Sequence, residues 1–142
     1  MIDPRVTDFV IEEYLRNQKD RVGASNIIER TYPRGLDVEV IGFATLRQCW
    51  QEAKEKEERE HVTLHIYRNP DKFKLLSIEN QKDLSHLRWT VDEDSDFNFV
   101  QEIYRKLSKP KKIFFMEDVL ELLEKEPTLN EINKNVKQKV LK

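Results

Sequence analysis

About six helices and three or four short strands, mixed along the chain, predict an α/β or α+β fold. Three observations carry that expectation. Apolar residues recur at helical spacing in several stretches, as in Val6, Phe9, Val10 and Tyr14. Between them lie short β-branched or alternating segments, of which residues 37–41 and 87–91 are the clearest. With 142 residues the chain has the length of one domain and enough mass to bury a core.

The first helix opens at Asp3-Pro4, the acid as N-cap and the proline at the first helical position. Nothing before it supplies the strand such a helix would pack against. Residues 17–26 read as a polar connection holding Gly23. The stretch 29–41, ERTYPRGLDVEVI, organises the rest of the chain. Pro33 restrains itself and Tyr32, Gly35 permits a left-handed or close-approach backbone, and residues 37–41 form a strand. After the break at Gly42, residues Phe43, Leu46, Trp50 and Ala53 make a second amphipathic helix, with Cys49 near its buried edge as a small core residue. The charge run 54–60, KEKEERE, reads as a solvated helix end or loop.

Residues 61–67 fit two descriptions. Val62, Leu64 and Ile66 alternate as in a strand, whereas Thr63 could cap a short helix. After the Asn69-Pro70-Asp71 turn, residues 73–79 read as a strand, 80–85 as a polar connection and 87–91, LRWTV, as a further strand. That strand runs into Asp92, Glu93, Asp94 and Asp96, ahead of a helix with Phe97, Val100, Ile103, Tyr104 and Leu107, capped by Asp94 or Ser95. Pro110 closes this helix. Another comes next with Val119, Leu120, Leu122 and Leu123, and Pro127-Thr128 starts a last one with Leu129, Ile132 and Val136.

Composition excludes several function classes. The net charge is −2, with acids and bases interspersed, so the basic stripe that nucleic-acid binding needs is missing. Apolar runs are too short to span a membrane, and residues 1–5 enter a capped helix, not the apolar core of a signal peptide. A single cysteine cannot form an internal disulfide, which points to a cytoplasmic protein. With three glycines in the chain, a glycine-rich phosphate loop has no place to form.

Two places can carry chemistry. Asp37 and Glu39, two apart on a strand, would share a face beside Arg34, an arrangement suited to a polyhydroxylated ligand. The same pair fits an ordinary solvated strand edge. Asp92, at the carboxyl end of a strand and beside a helix start, sits where open α/β sheets bind ligands and could hold Mg²⁺. It could equally cap the helix and meet its dipole. His61 and His65 are four apart, a spacing that suits zinc on a helix, but no third ligand is evident.

Three blocks, ERTYPRGLDVEVI, EHVTLHIYRNPDKF and LSHLRWTVDEDSDFNFV, resemble the cytidylyltransferase-like proteins that include the spore-coat polysaccharide biosynthesis protein F group. The biochemically understood relatives of that group make CMP-activated acidic sugars such as CMP-3-deoxy-manno-octulosonate. The likeness runs from Ile2 to about Lys139 and includes PTLNEINKNVKQK. It implies an α/β fold, a glycosyltransferase-A-like nucleotide-diphospho-sugar transferase sandwich with a mostly parallel sheet. Residues 1–142 would form a single domain, the C-terminal half of that sandwich. The N-terminal nucleotide-binding segment, with its phosphate loop and first metal aspartate, would lie upstream.

By that resemblance Asp92 matches the second metal-binding aspartate of a Val-Asp-Thr-Pro-Glu-Asp pattern, with Glu93, Asp94 and Ser95 in place of Thr-Pro-Glu. Arg34, Asp37 and Glu39 match the block that contacts the acceptor sugar. Arg59, Glu60 and His61 match a block bordering the same pocket, and Arg88 is carried over with His61. Leu64 stands where the family has proline. The resemblance implies Mg²⁺ as cofactor, CTP and an acidic or amino sugar as partners, and polysaccharide precursor synthesis as the setting. These residues alone should have negligible transferase activity, and a face left uncovered should drive self-association into a homo-oligomer. The alternative is a non-catalytic module that binds a sugar nucleotide or a protein partner.

Overall fold

The computed structural model describes residues 1–110 and 112–137. The reach of the resemblance to Lys139 therefore lies outside the described residues. Helices and short strands run in the order α1 (Pro4–Asn17), β1 (Gly23–Ser25), β2 (Glu39–Ile41), α2 (Phe43–Glu52), α3 (Lys56–Glu60), α4 (Leu64–Arg68), β3 (Leu75–Ser77), α5 (Asp94–Leu107), α6 (Met116–Lys125) and a 3-10 turn (Pro127–Glu131). The chain divides into two units, one of Met1–Val6, Thr31–Asp37 and Asn80–Lys142, the other of Thr7–Arg30 and Val38–Glu79.

The first unit is built on α5 and α6. Phe99 and Ile103 of α5 and Val119 and Leu123 of α6 bury against Leu36, Trp89 and Leu129. Spacings of four on each helix present these pairs as one stripe. The entry to α1 has the expected cap, because the Arg5 amide donates to Asp3 Oδ1 at 2.8 Å. The cap of α5 differs from expectation: Glu93 is the N-cap and Asp96, at the third helical position, completes a capping box. The expected strand at 87–91 shrinks to a parallel bridge between Arg88 and Arg34, whose carbonyl accepts from the Trp89 amide at 2.7 Å. Gly35 then turns away at φ 101°. A Cβ there would lie 2.6 Å from the backbone of Trp89 and Thr90, so glycine is required at this close approach.

The second unit holds a three-stranded sheet in the order β2-β1-β3. It is mixed, with β1 antiparallel to β2 and parallel to β3, where a mostly parallel sheet was expected. The central strand β1 falls in the segment read as a polar connection. Its three residues, Gly-Ala-Ser, are small and fully buried, and they carry no alternation for the sequence to show. β2 starts at Glu39, two residues later than expected. The Asn26 amide still donates to the Val38 carbonyl at 3.2 Å, but the Val38 amide turns to the Asn26 side chain at 2.8 Å, so the ladder is only half continued there.

Of the two descriptions of 61–67, the helix holds, as α4; Thr63 spends its hydroxyl on Glu39 instead of capping it. Residues 56–60 of the charge run form the short helix α3. The last expected helix, through Val136, is only the 3-10 turn. In α2 the expected stripe holds only in part: Ala53 and Cys49 are buried, but its two large aromatics are not. Thr45 and Cys49 are buried, whereas Phe43 is 77% and Trp50 65% exposed. No helix among the described residues is long and apolar enough to cross a membrane.

Candidate functional site

Of the six residues expected to form a site, Arg34, Asp37, Arg88 and Asp92 belong to the first unit, and Glu39 and His61 to the second. In the first unit the bridge sets Arg34 beside Arg88. Both line a polar pocket of about 380 Å³ with His86, Asn130, Asn133 and Lys134. Glu131 is the acid among its lining residues and takes the Lys134 ammonium at 3.1 Å. Three cations and one acid line it, but the Arg88 guanidinium is paired with Asp96 and Asp92 and the Lys134 ammonium with Glu131. Asp37 is exposed at the end of its segment, outside any strand. The strand expected from residue 37 therefore begins only at Glu39.

Arg88 is the hinge of the arrangement, and its side chain turns toward acids. Its Nε and Nη2 donate to the two oxygens of Asp96 at 2.9 and 2.8 Å, a bidentate pair, and Nη2 also reaches Asp92 Oδ2 at 2.8 Å. Asp96 is fully buried. It accepts further from the amides of Asp92 and Glu93 at 3.1 and 3.2 Å and from Asn133 Nδ2 at 3.0 Å. Asn133 also ties to the Arg88 carbonyl at 2.9 Å. Burial pushes the Asp96 pKa up, but the Arg88 and Asn133 donors, the Asp92 amide and the guanidinium charge outweigh it and hold it at about 2. The same pairing with Asp96 raises Arg88 above its ordinary value, against the opposing effect of burial.

Asp92 itself sits between the bridge and the cap of α5, with its side chain 53% exposed. Its carboxylate could supply one oxygen to a Mg²⁺ ion otherwise held by phosphate and water, through Oδ1, since Oδ2 already accepts from Arg88 Nη2. Among the described residues no three His, Cys, Asp or Glu side chains gather as a metal cage.

In the second unit, Glu39 accepts from the Tyr67 hydroxyl at 2.5 Å and from Thr63 at 3.2 Å, and Tyr67 also meets buried Ser25 at 2.9 Å. His61 is half-buried in the turn before α4. His65 lies between Glu58 at 3.1 Å and Glu52 at 3.5 Å. Burial, with Glu52 adding to it, raises the thiol pKa of Cys49, in keeping with the core role expected of it. A separate apolar cleft of about 440 Å³ opens along α2, lined by Phe43, Leu46, Trp50 and Val62.

Sequence reasoning missed Asp96 and Asn133 as site residues. The four-residue spacings Arg88–Asp92 and Asp92–Asp96 were a readable signal; the reach of Asn133 across 37 positions to Asp96 was not.

No family model matches the chain. An uncharacterized protein of Methanocaldococcus jannaschii is 37% identical over 136 residues, which cover 93% of this chain and 52% of that protein. A cytidylyltransferase from Leptospira borgpetersenii superposes with a TM-score of 0.85 at 25% identity, over 98% of this chain and 56% of the other. The chain spans about half the length of the proteins it matches. Its α/β architecture, small mixed sheet included, is that of a cytidylyltransferase-like nucleotide-sugar transferase over the part they share.

Proposed function

We propose that the chain is the acceptor-facing part of a Mg²⁺-dependent cytidylyltransferase that activates an acidic or amino sugar for surface or spore-coat polysaccharide synthesis. The observation that carries this reading is the likeness to a cytidylyltransferase over 98% of the chain. The first unit supports it, with an exposed acid at the loop before α5 and a pocket lined by Arg34, Asn130 and Lys134 alongside.

In the proposed reaction a sugar hydroxyl oxygen bonds to the α-phosphorus of CTP, the bond to pyrophosphate breaks, and the hydroxyl proton leaves to solvent. Arg34 and Lys134 would orient the sugar's anionic group, and the Asn130 amide its hydroxyls. Asp92 would hold Mg²⁺, which when bound neutralises phosphate charge. The resemblance also implies substrate-binding roles for Asp37 and Arg88 in the first unit and for Glu39 and His61 in the second, each taken by itself. The direct part of Arg88 is to hold the two acids.

The test is calorimetric titration of the chain with CMP-activated acidic and amino sugars, beside pyrophosphate release from CTP in Mg²⁺. Saturable binding lost in Arg34→Ala, with negligible release by these residues alone, is the expected result. No binding across the panel would overturn the reading.

The exposed Phe43 and Trp50 along the α2 cleft favour a second function beside it, self-association through that face. Light scattering that finds a monomer at every concentration would remove it, along with the homo-oligomer. Cytoplasmic placement is proposed with the nucleotide substrate.

A further inference from the structure

One guanidinium serves two carboxylates in the first unit, and the two are in opposite environments. Asp96 is buried and Asp92 is largely open to solvent. The bidentate contact goes to Asp96, which also collects two loop amides and the Asn133 amide. Arg88 therefore spends its charge on the buried acid first, since a paired carboxylate and guanidinium cancel most strongly where water is excluded. Asp92 keeps a single contact, to Nη2 at 2.8 Å. Capping alone would not need this construction, because one acceptor at the third helical position satisfies a capping box.

We propose that Asp96, supported by Asn133, is a positioning residue that takes up most of the charge of Arg88 and pins the Asp92 and Glu93 amides, so that the Asp92 carboxylate, left with one shared N–H of the guanidinium, keeps more of its negative charge than it would facing Arg88 alone. The inference rests on the reading of Asp92 as the cation-facing acid. It adds that the cation affinity of Asp92 is set by a residue that never meets the cation. Outer partners of this kind change metal affinity by about 10- to 100-fold when removed.

The experiment is a Mn²⁺ titration of the ¹⁵N-labelled full chain, reading paramagnetic broadening of the amides at residues 91–95. In the parent chain, broadening should centre on that loop and disappear in Asp92→Ala. Asp96→Asn keeps the shape but removes the charge, so the guanidinium's charge falls on Asp92. The titration midpoint should rise about tenfold or more while the amide spectra of α5 and α6 stay native. Asn133→Ala keeps both charges and loosens the loop, and a smaller rise is expected.

A folded Asp96→Asn with an unchanged midpoint overturns the inference and leaves the reading of Asp92 intact. Should Asp96→Asn lose the native spectrum, Asn133→Ala decides, and an unchanged midpoint there overturns the inference. A parent loop without broadening, or broadening that survives Asp92→Ala, overturns the reading of Asp92 and the inference with it.

Discussion

Each unit contains a carboxylate held at about 2, Asp96 in the first and Glu52 in the second, and the two reach that value by different means. Asp96 is closed off from water and answered by a guanidinium, two backbone amides and a side-chain amide. Glu52 is 34% exposed, and its main partner is the Lys72 ammonium at 2.5 Å, with Gln48 and His65 adding hydrogen bonds. A buried network carries energy and geometry, because its members have no water to fall back on. An exposed one is exchangeable, screened by salt and served almost as well by solvent. A similar titration can therefore mark a rigid framework in one place and decoration in another.

The most severe break in the comparison is Asp96→Ala. It leaves Arg88 facing a cavity without its buried counter-ion, and a loss of about 3–5 kcal/mol is expected from urea unfolding monitored at Trp89, which is 1% exposed. A loss no larger than that of a surface substitution would make the two carboxylates equivalent.

Acid provides the next test. Asp96 is depressed in the fold, from an ordinary 3.8 to about 2, so its contribution is present above pH 4 and drains away as pH falls toward 2. About 2 kcal/mol should disappear over that window, read as a falling urea midpoint for the Trp89 signal. The depression of Glu52, from 4.5 to about 2, has the same sign and a window that opens slightly higher, but solvent screening leaves it little to lose. Trp50, exposed in the second unit, reports there separately.

The smallest effect belongs to Lys72→Met. Its pairing with Glu52 is exposed, so the melting temperature should move within the scatter of replicate scans and not at all in high salt. A clear, salt-resistant destabilisation would place Glu52 in the same class as Asp96.

Much of this framework was legible along the chain. The Asp3-Pro4 cap, the glycine turn at 35 and the helices α1, α5 and α6 are local patterns and lie where the sequence put them, but the stripes hold only in part: Phe9, Phe97 and Tyr104 are exposed, and Phe99 is buried in their place on α5. Arg34, Arg88 and Asp92 were legible as candidates through the resemblance, and the bridge and the Arg88 contact bring those three together. The strand start expected at Asp37 moved to Glu39, because the Val38 amide goes to the Asn26 side chain.

The sequence by itself determined the three longest-patterned helices α1, α5 and α6 and where the backbone must turn at Gly35, since hydrogen-bond period, capping and φ preference act over a few residues. Only the tertiary structure decided which faces are covered and which charges meet. β1 is central because its small residues fit between two partners, and α2 buries Thr45 and Cys49 while Phe43 and Trp50 stay outside. Asp96 gains its role because Asn133, far along the chain, arrives beside it. Burial and electrostatic pairing depend on what is brought opposite a residue, and spacing along a chain does not record that.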